Sequence, residues 1–158
     1  MKPNWDALVE EGWENQYDEQ KLINFFTELL RRHPESARAN FELGNAYDFL
    51  GQEQRAIPLY EEAIKLGLDK EFEAYALLQL GSSLRNVGRL DEAIEILSVA
   101  EARFPGIPTV SMFLSMALFN GNKHKEALQT LLSSMIYNND TPDIKRYGKG
   151  LEYYIKNL

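Results

Sequence analysis

Residues Ala37-Arg38-Ala39-Asn40-Phe41-Glu42-Leu43-Gly44-Asn45-Ala46-Tyr47 open a stretch that runs on through Gly51, Ala56, Tyr60 and Ala63. The chain then repeats this pattern twice. The second copy carries Leu80-Gly81, Leu84, Gly88, Ala93, Leu97, Ala100 and Pro105. The third carries Leu114-Ser115, Leu118, Asn122, Ala127, Leu131 and Ser134. Gly81 and Ser115 stand 34 residues apart and Gly44 and Gly81 stand 37 apart, so about three residues (near Glu71 to Glu73) lengthen the middle copy. Self-similarity at this period marks an array of stacked helical units, each burying its apolar face against its neighbours.

Small and large residues alternate at fixed places for a mechanical reason. Gly44, Gly81 and Ser115 let the first helix of each unit approach Ala56, Ala93 and Ala127 on the second. Ala63, Ala100 and Ser134 admit the first helix of the next unit. Leu43, Tyr47, Tyr60, Leu80, Leu84, Leu97, Leu114, Leu118 and Leu131 fill the seam. A larger side chain at a small position would overpack it, at ~1–3 kcal/mol.

These residues resemble the tetratricopeptide repeat, a helix–turn–helix unit with a Leu-Gly-x-x-Tyr…Ala-x-x-x-Phe…Pro pattern. The resemblance covers Ala37 to Thr141. The family's early Trp is replaced by Asn40, Leu77 and Ser111, and its closing Pro occurs within the three copies only at Pro105. Asn122 replaces the turn glycines Gly51 and Gly88, and Asn tolerates the left-handed backbone such a turn often needs. The resemblance implies an all-α, right-handed superhelix in a single domain over residues 1–158. Repeats are expected at 37–70, 71–107 and 108–141, a degenerate repeat-like pair at 3–36 and a capping helix at 142–158.

The flanks extend the pattern. Leu22, Ile23, Phe25, Phe26, Leu29 and Leu30 form a helical stripe between Asp18 and His33, stopped by Pro34. Before it, Asn4 reads as an N-cap, with Trp5, Leu8, Val9 and Trp13 expected to be buried. Thr141-Pro142-Asp143 reads as a helix start, the hydroxyl capping and the proline in the first turn. Ile144, Tyr147, Leu151, Tyr154, Ile155 and Leu158 follow as an apolar stripe, expected to cover Leu128, Leu132 and Met135. The count is nine helices and no strands. Pro58 falls a turn into a helix and predicts a bend or a late start there.

Composition narrows the chemistry. The 158 residues carry a net charge of −7, no cysteine and two histidines, His33 and His124. A thiol nucleophile, a thiolate zinc site and a three-histidine metal site are therefore excluded within one chain. The acidity argues against nucleic acid as a partner, which calls for a basic stripe. No apolar run reaches membrane-span length, and no leader-like stretch follows Met1-Lys2-Pro3-Asn4-Trp5, so no membrane partner and a cytoplasmic location are expected. Gly148-Lys149-Gly150 lacks phosphate-loop spacing, and no nucleophile elbow, His-Glu-x-x-His pair or calcium loop occurs. No catalytic residue, metal or cofactor is expected, and both histidines read as surface bystanders. Charge is uneven: residues 1–20 hold six acids against Lys2, net −5, while residues 141–158 are net +2. This asymmetry suits solubility, a basic partner at the N-terminal end, or head-to-tail homo-oligomers.

In the family, the first helices of successive repeats line a concave groove that binds peptides or helices. The resemblance places Arg38, Phe41, Asn45, Asp48 and Phe49 there from the first repeat. It adds Tyr75, Leu78, Ser82, Arg85 and Asn86 from the second, and Thr109, Met112, Met116, Phe119 and Asn120 from the third. Of the family's carboxylate clamp only Asn45 matches; Phe41, Thr109 and Phe113 stand where basic residues are needed. The groove should instead become apolar toward Met112, Met116 and Phe119, with Tyr75 and Leu78 facing them. Methionine suits surfaces that accept varied helices. Whether water, the capping helix or another copy meets this end stays open. The reading is a non-catalytic scaffold for a protein or peptide; the alternatives are an unrecognised all-helical enzyme or a sensor of a short signalling peptide.

Overall fold

The computed structural model describes residues 3–158. Among them are nine helices and no strand: α1 (Trp5–Trp13), α2 (Glu19–Arg32), α3 (Ala37–Phe49), α4 (Glu53–Leu66), α5 (Lys70–Asn86), α6 (Leu90–Arg103), α7 (Pro108–Asn120), α8 (His124–Tyr137) and α9 (Pro142–Lys156). They run as consecutive hairpins, each packing on the helix before and the helix after it. The result is an all-helical repeat superhelix.

Local chemistry sets the boundaries. Asn4, Asp18 and Ser36 cap α1, α2 and α3, each accepting a backbone N–H three residues on, at 3.4, 3.1 and 3.2 Å. Within hairpins the turn residues Gly51, Gly88 and Asn122 hold φ of 69°, 81° and 61°. Asn122 thus adopts the left-handed backbone expected of it. The three extra residues of the middle copy lengthen α5 to 17 residues, against 13 in α3 and α7. Their Phe72 meets Phe41 edge-on, ring centroids 6.0 Å apart.

The tightest approach in the array is that of Gly81. A methyl group there would lie 2.4 Å from Leu97 Cγ, and one at Gly44 would lie 2.8 Å from Tyr60 Cε1. The small residue of the first helix therefore receives a large knob one turn beyond the expected alanine. Ala56 and Ala93 are themselves fully buried beside these knobs.

Four expectations change. Trp5, Leu8, Val9 and Trp13 are only half-buried, and Gly12 is the buried residue of α1. A methyl there would meet Phe26 at 2.5 Å, so Gly12 serves the first pair as Gly44 serves the next. Pro58 does not delay its helix: α4 starts at Glu53 and runs through it. Pro58 is exposed, and its ring stands on the solvent side of α4. Thr141 precedes Pro142 at the start of α9, but its side chain makes no capping bond.

The fourth concerns α9. It packs on α8, but Leu128 and Met135 stay exposed, as do Tyr147, Leu151, Tyr154 and Leu158 of its own stripe. Of the six stripe residues only Ile155 is buried. The helix rests on the outer side of α8, where Gln129 Nε2 donates to the Ile155 carbonyl at 2.9 Å. Gly148 there lies against Ile136. Gln129 and Ile136 correspond to Pro58 and Lys65 in α4 and to Glu95 and Ala102 in α6, all exposed. The seat used by α5 and α7 is left open.

Candidate functional site

First helices α3, α5 and α7 form one wall, and the expected groove residues divide over two hollows on it. Phe41, Asn45, Asp48, Phe49, Tyr75 and Leu78 line a hollow of about 570 Å³, joined by Trp13, Gln79, Thr109 and Phe113. Arg85, Met112, Met116 and Phe119 line a second of about 760 Å³, with Leu128, Leu131 and His124 of α8. Ser82 is half-buried between them and lines neither. Tyr75 and Leu78 therefore face Phe113 and Thr109 rather than the methionines. The reason is helical phase: Met112 is one residue from Phe113, about 100° around α7, so the side of α7 that meets α5 and the side that would meet a following helix carry different residues.

The floor of the first hollow is held by a polar network. Arg38 Nε donates to Glu42 Oε1 at 2.6 Å, and Asn45 Nδ2 donates to Glu42 Oε2 at 3.3 Å. The Tyr60 hydroxyl donates to Asn45 Oδ1 at 3.0 Å. The Arg38 guanidinium lies 3.6 Å from the Phe72 ring centre. Glu42 is buried, which sequence reasoning missed, because an acid between Phe41 and Leu43 reads as solvated until its arginine four residues back is seen to cover it. Burial pushes the Tyr60 phenol well above its usual range, so it stays a donor at all ordinary pH values.

Asp48 puts a carboxylate into a hollow lined otherwise by uncharged side chains. Burial raises its pKa, the Ser83 hydroxyl opposes this by donating at 2.7 Å, and nearby Glu53 adds to the rise. Phe41 and Leu78 are almost wholly buried and form the floor. Phe49 and Tyr75 stand exposed on the rim, and Trp13 meets Phe49 edge-on at 5.4 Å, so α1 closes one end.

Among the described residues no group of three or more His, Asp or Glu side chains is placed to hold a metal ion. No helix there is long and apolar enough to cross a membrane.

An array of helical hairpins with open, partly apolar hollows on its first-helix wall defines a protein–protein interaction scaffold. The tetratricopeptide repeat family model matches residues 37–158, and the chain belongs to that family, whose members are generally non-catalytic. The match includes α9. Among solved structures the chain is similar to a MamA protein, with a TM-score of 0.71, 20% identity, and coverage of 93% of this chain and 76% of that one. A MamA designated AMB-1 gives 0.71 and 18%, covering 90% and 78%. A double mutant of MamA RS-1 gives 0.69 and 15%, covering 99% and 97%. At these identities the likeness is one of fold. No match is found among curated proteins.

Proposed function

We propose that the chain is a non-catalytic scaffold that holds a segment of a partner protein in the hollow between α3, α5 and α7. The observation that carries this reading is an open apolar hollow whose rim aromatics, Phe49 and Tyr75, remain exposed above a floor of buried Phe41 and Leu78, flanked by the hydrogen-bonded Glu42, Asn45 and Tyr60. Exposed aromatic anchors over a preorganised floor supply binding energy with little ordering cost. Asp48 favours a ligand that brings a hydrogen-bond donor or a positive charge to the middle of the segment. No Lys, Arg or His side chain lines this hollow, so a terminal carboxylate finds no cation to pair with, and an internal segment fits better than a chain end.

A random peptide library displayed on phage and panned against the full chain tests this. Selected peptides should share apolar residues flanking a donor, and Tyr75→Glu should weaken their binding by ~2 kcal/mol or more in titration. Glu95→Ala, on the outer face, should leave it unchanged. Peptides that bind the Tyr75→Glu variant as tightly as the parent would place the working surface elsewhere.

A further inference from the structure

The second hollow is the seat of a first helix that the chain does not fill. Phe41, Leu78 and Met112 hold the same place in α3, α5 and α7, yet their exposures are 4%, 8% and 51%. Ile57 and Leu128 correspond in α4 and α8, at 4% and 46%. In the first two repeats the following first helix, α5 or α7, covers these positions. In the third, α9 lies on the outer side of α8 and the seat is open.

The filled seats show what an occupant must offer. At the first, Asp48 and Glu53 meet donors on the incoming α5: Ser83 Oγ at 2.7 Å and Asn86 Nδ2 at 3.2 Å. At the second, Arg85, which corresponds to Asp48, meets an acceptor on the incoming α7, Asn120 Oδ1, at 2.8 Å. Each incoming helix is complementary to the polar end of its seat. At the third seat the corresponding places hold Phe119 and His124, their rings in tilted contact with centroids 4.5 Å apart, and Arg85 borders them. No carboxylate lines this hollow, although the chain as a whole is net −7.

We infer that this open seat is a second docking site, for an amphipathic helix of a partner protein that carries an acidic residue in its last turn. The apolar face of that helix covers Met112, Met116, Leu128 and Leu131, as α5 covers Phe41 and Ile57. Its carboxylate meets His124 and Arg85, where α5 offers Ser83 and Asn86 to acids. His124, a bystander in the sequence reading, becomes the specificity residue. The site is distinct from the groove proposed above and does not depend on it.

The chain itself provides the probe. A fluorescein-labelled peptide with the sequence of α5, residues 70–86, is made with Asn86→Glu and with Asn86→Lys and titrated by anisotropy against the full chain. The glutamate peptide should bind at least ~10-fold more tightly than the lysine peptide. His124→Glu should reverse the order, and Leu128→Glu should abolish binding of both while leaving the circular dichroism melt intact. Equal affinities, no binding of either peptide, or binding that survives Leu128→Glu would each overturn the proposal. Since the chain has no cysteine, a Met112→Cys and Tyr147→Cys pair reports who occupies the seat without peptide. Ready disulfide formation within one chain puts α9 there, and formation between chains puts a second copy there; either result contradicts a seat kept open for a partner. Slow oxidation that the glutamate peptide slows further supports it.

Discussion

Gly81→Ala adds one methyl group at the centre of the array, and its cost follows from the geometry. The new carbon would lie 2.4 Å from Leu97 Cγ and 2.7 and 3.0 Å from its two methyl carbons. Rotation about the last bond of Leu97 cannot relieve a clash at Cγ, and Leu97 is fully buried, so α6 must shift or the side chain must leave its rotamer. The upper part of the overpacking range, ~2–3 kcal/mol, applies. Against it stands the gain in helix propensity on replacing glycine by alanine, ~1 kcal/mol. The net is a loss of ~1–2 kcal/mol, or a few degrees in melting temperature for a chain of this size. Gly150 is the control, because a methyl there has nothing within 4 Å. Gly150→Ala should leave stability unchanged or raise it. Urea unfolding followed by far-ultraviolet circular dichroism measures both. In a Leu97→Ala background the clash is gone, so Gly81→Ala should turn stabilising, giving a coupling of ~2–3 kcal/mol in the double-mutant cycle. If Gly81→Ala stabilises the parent chain as Gly150→Ala does, the α5–α6 register is wrong.

Other consequences are separable. Met116→Glu places a charge on an exposed position of the open seat and should shift stability by no more than ~0.5 kcal/mol in thermal melts. Asp48→Asn keeps the oxygen that accepts from Ser83 and removes a carboxyl whose pKa burial raises, so the folded chain holds that proton more tightly than the unfolded one. Its contribution to stability therefore falls as pH rises from the ordinary 3.8 through the raised value. The variant should melt higher than the parent at neutral pH, and the gap should close toward 3.8. Deleting residues 141–158 should lower the unfolding midpoint less than Gly81→Ala does, since Leu128 and Met135 are already exposed with α9 present. A new aggregate in size-exclusion chromatography would show that α9 covers more than its contacts with α8 indicate.

The repeat was legible because its cause is local and periodic. Gly44, Gly81 and Ser115 sit where a knob must enter, and Gly51, Gly88 and Asn122, where the backbone turns left-handed, follow them by seven residues in every copy. Gly12 escaped notice because the first hairpin is shorter, so its knob, Phe26, comes 14 residues later rather than the 16 that separate Gly44 from Tyr60. The groove was legible by residue but not by partition. Pattern alone puts Leu78 and Met112 at one place in successive helices; it does not say that α7 buries the first while nothing buries the second. The seating of α9 was misread for a related reason. Its stripe from Ile144 to Leu158 names an apolar face, and amphipathicity does not tell which side of α8 receives it.

The claim that the wall of α3, α5 and α7 is a binding surface is tested most directly by nuclear magnetic resonance with a selected peptide. Amide and side-chain shifts are followed during titration of the labelled full chain. Perturbations should cluster at Asn45, Phe49, Tyr75, Thr109 and Phe113, with Lys65, Glu95 and Ala102 on the outer face unmoved. Perturbations concentrated on those outer residues, with the hollow silent, would contradict it.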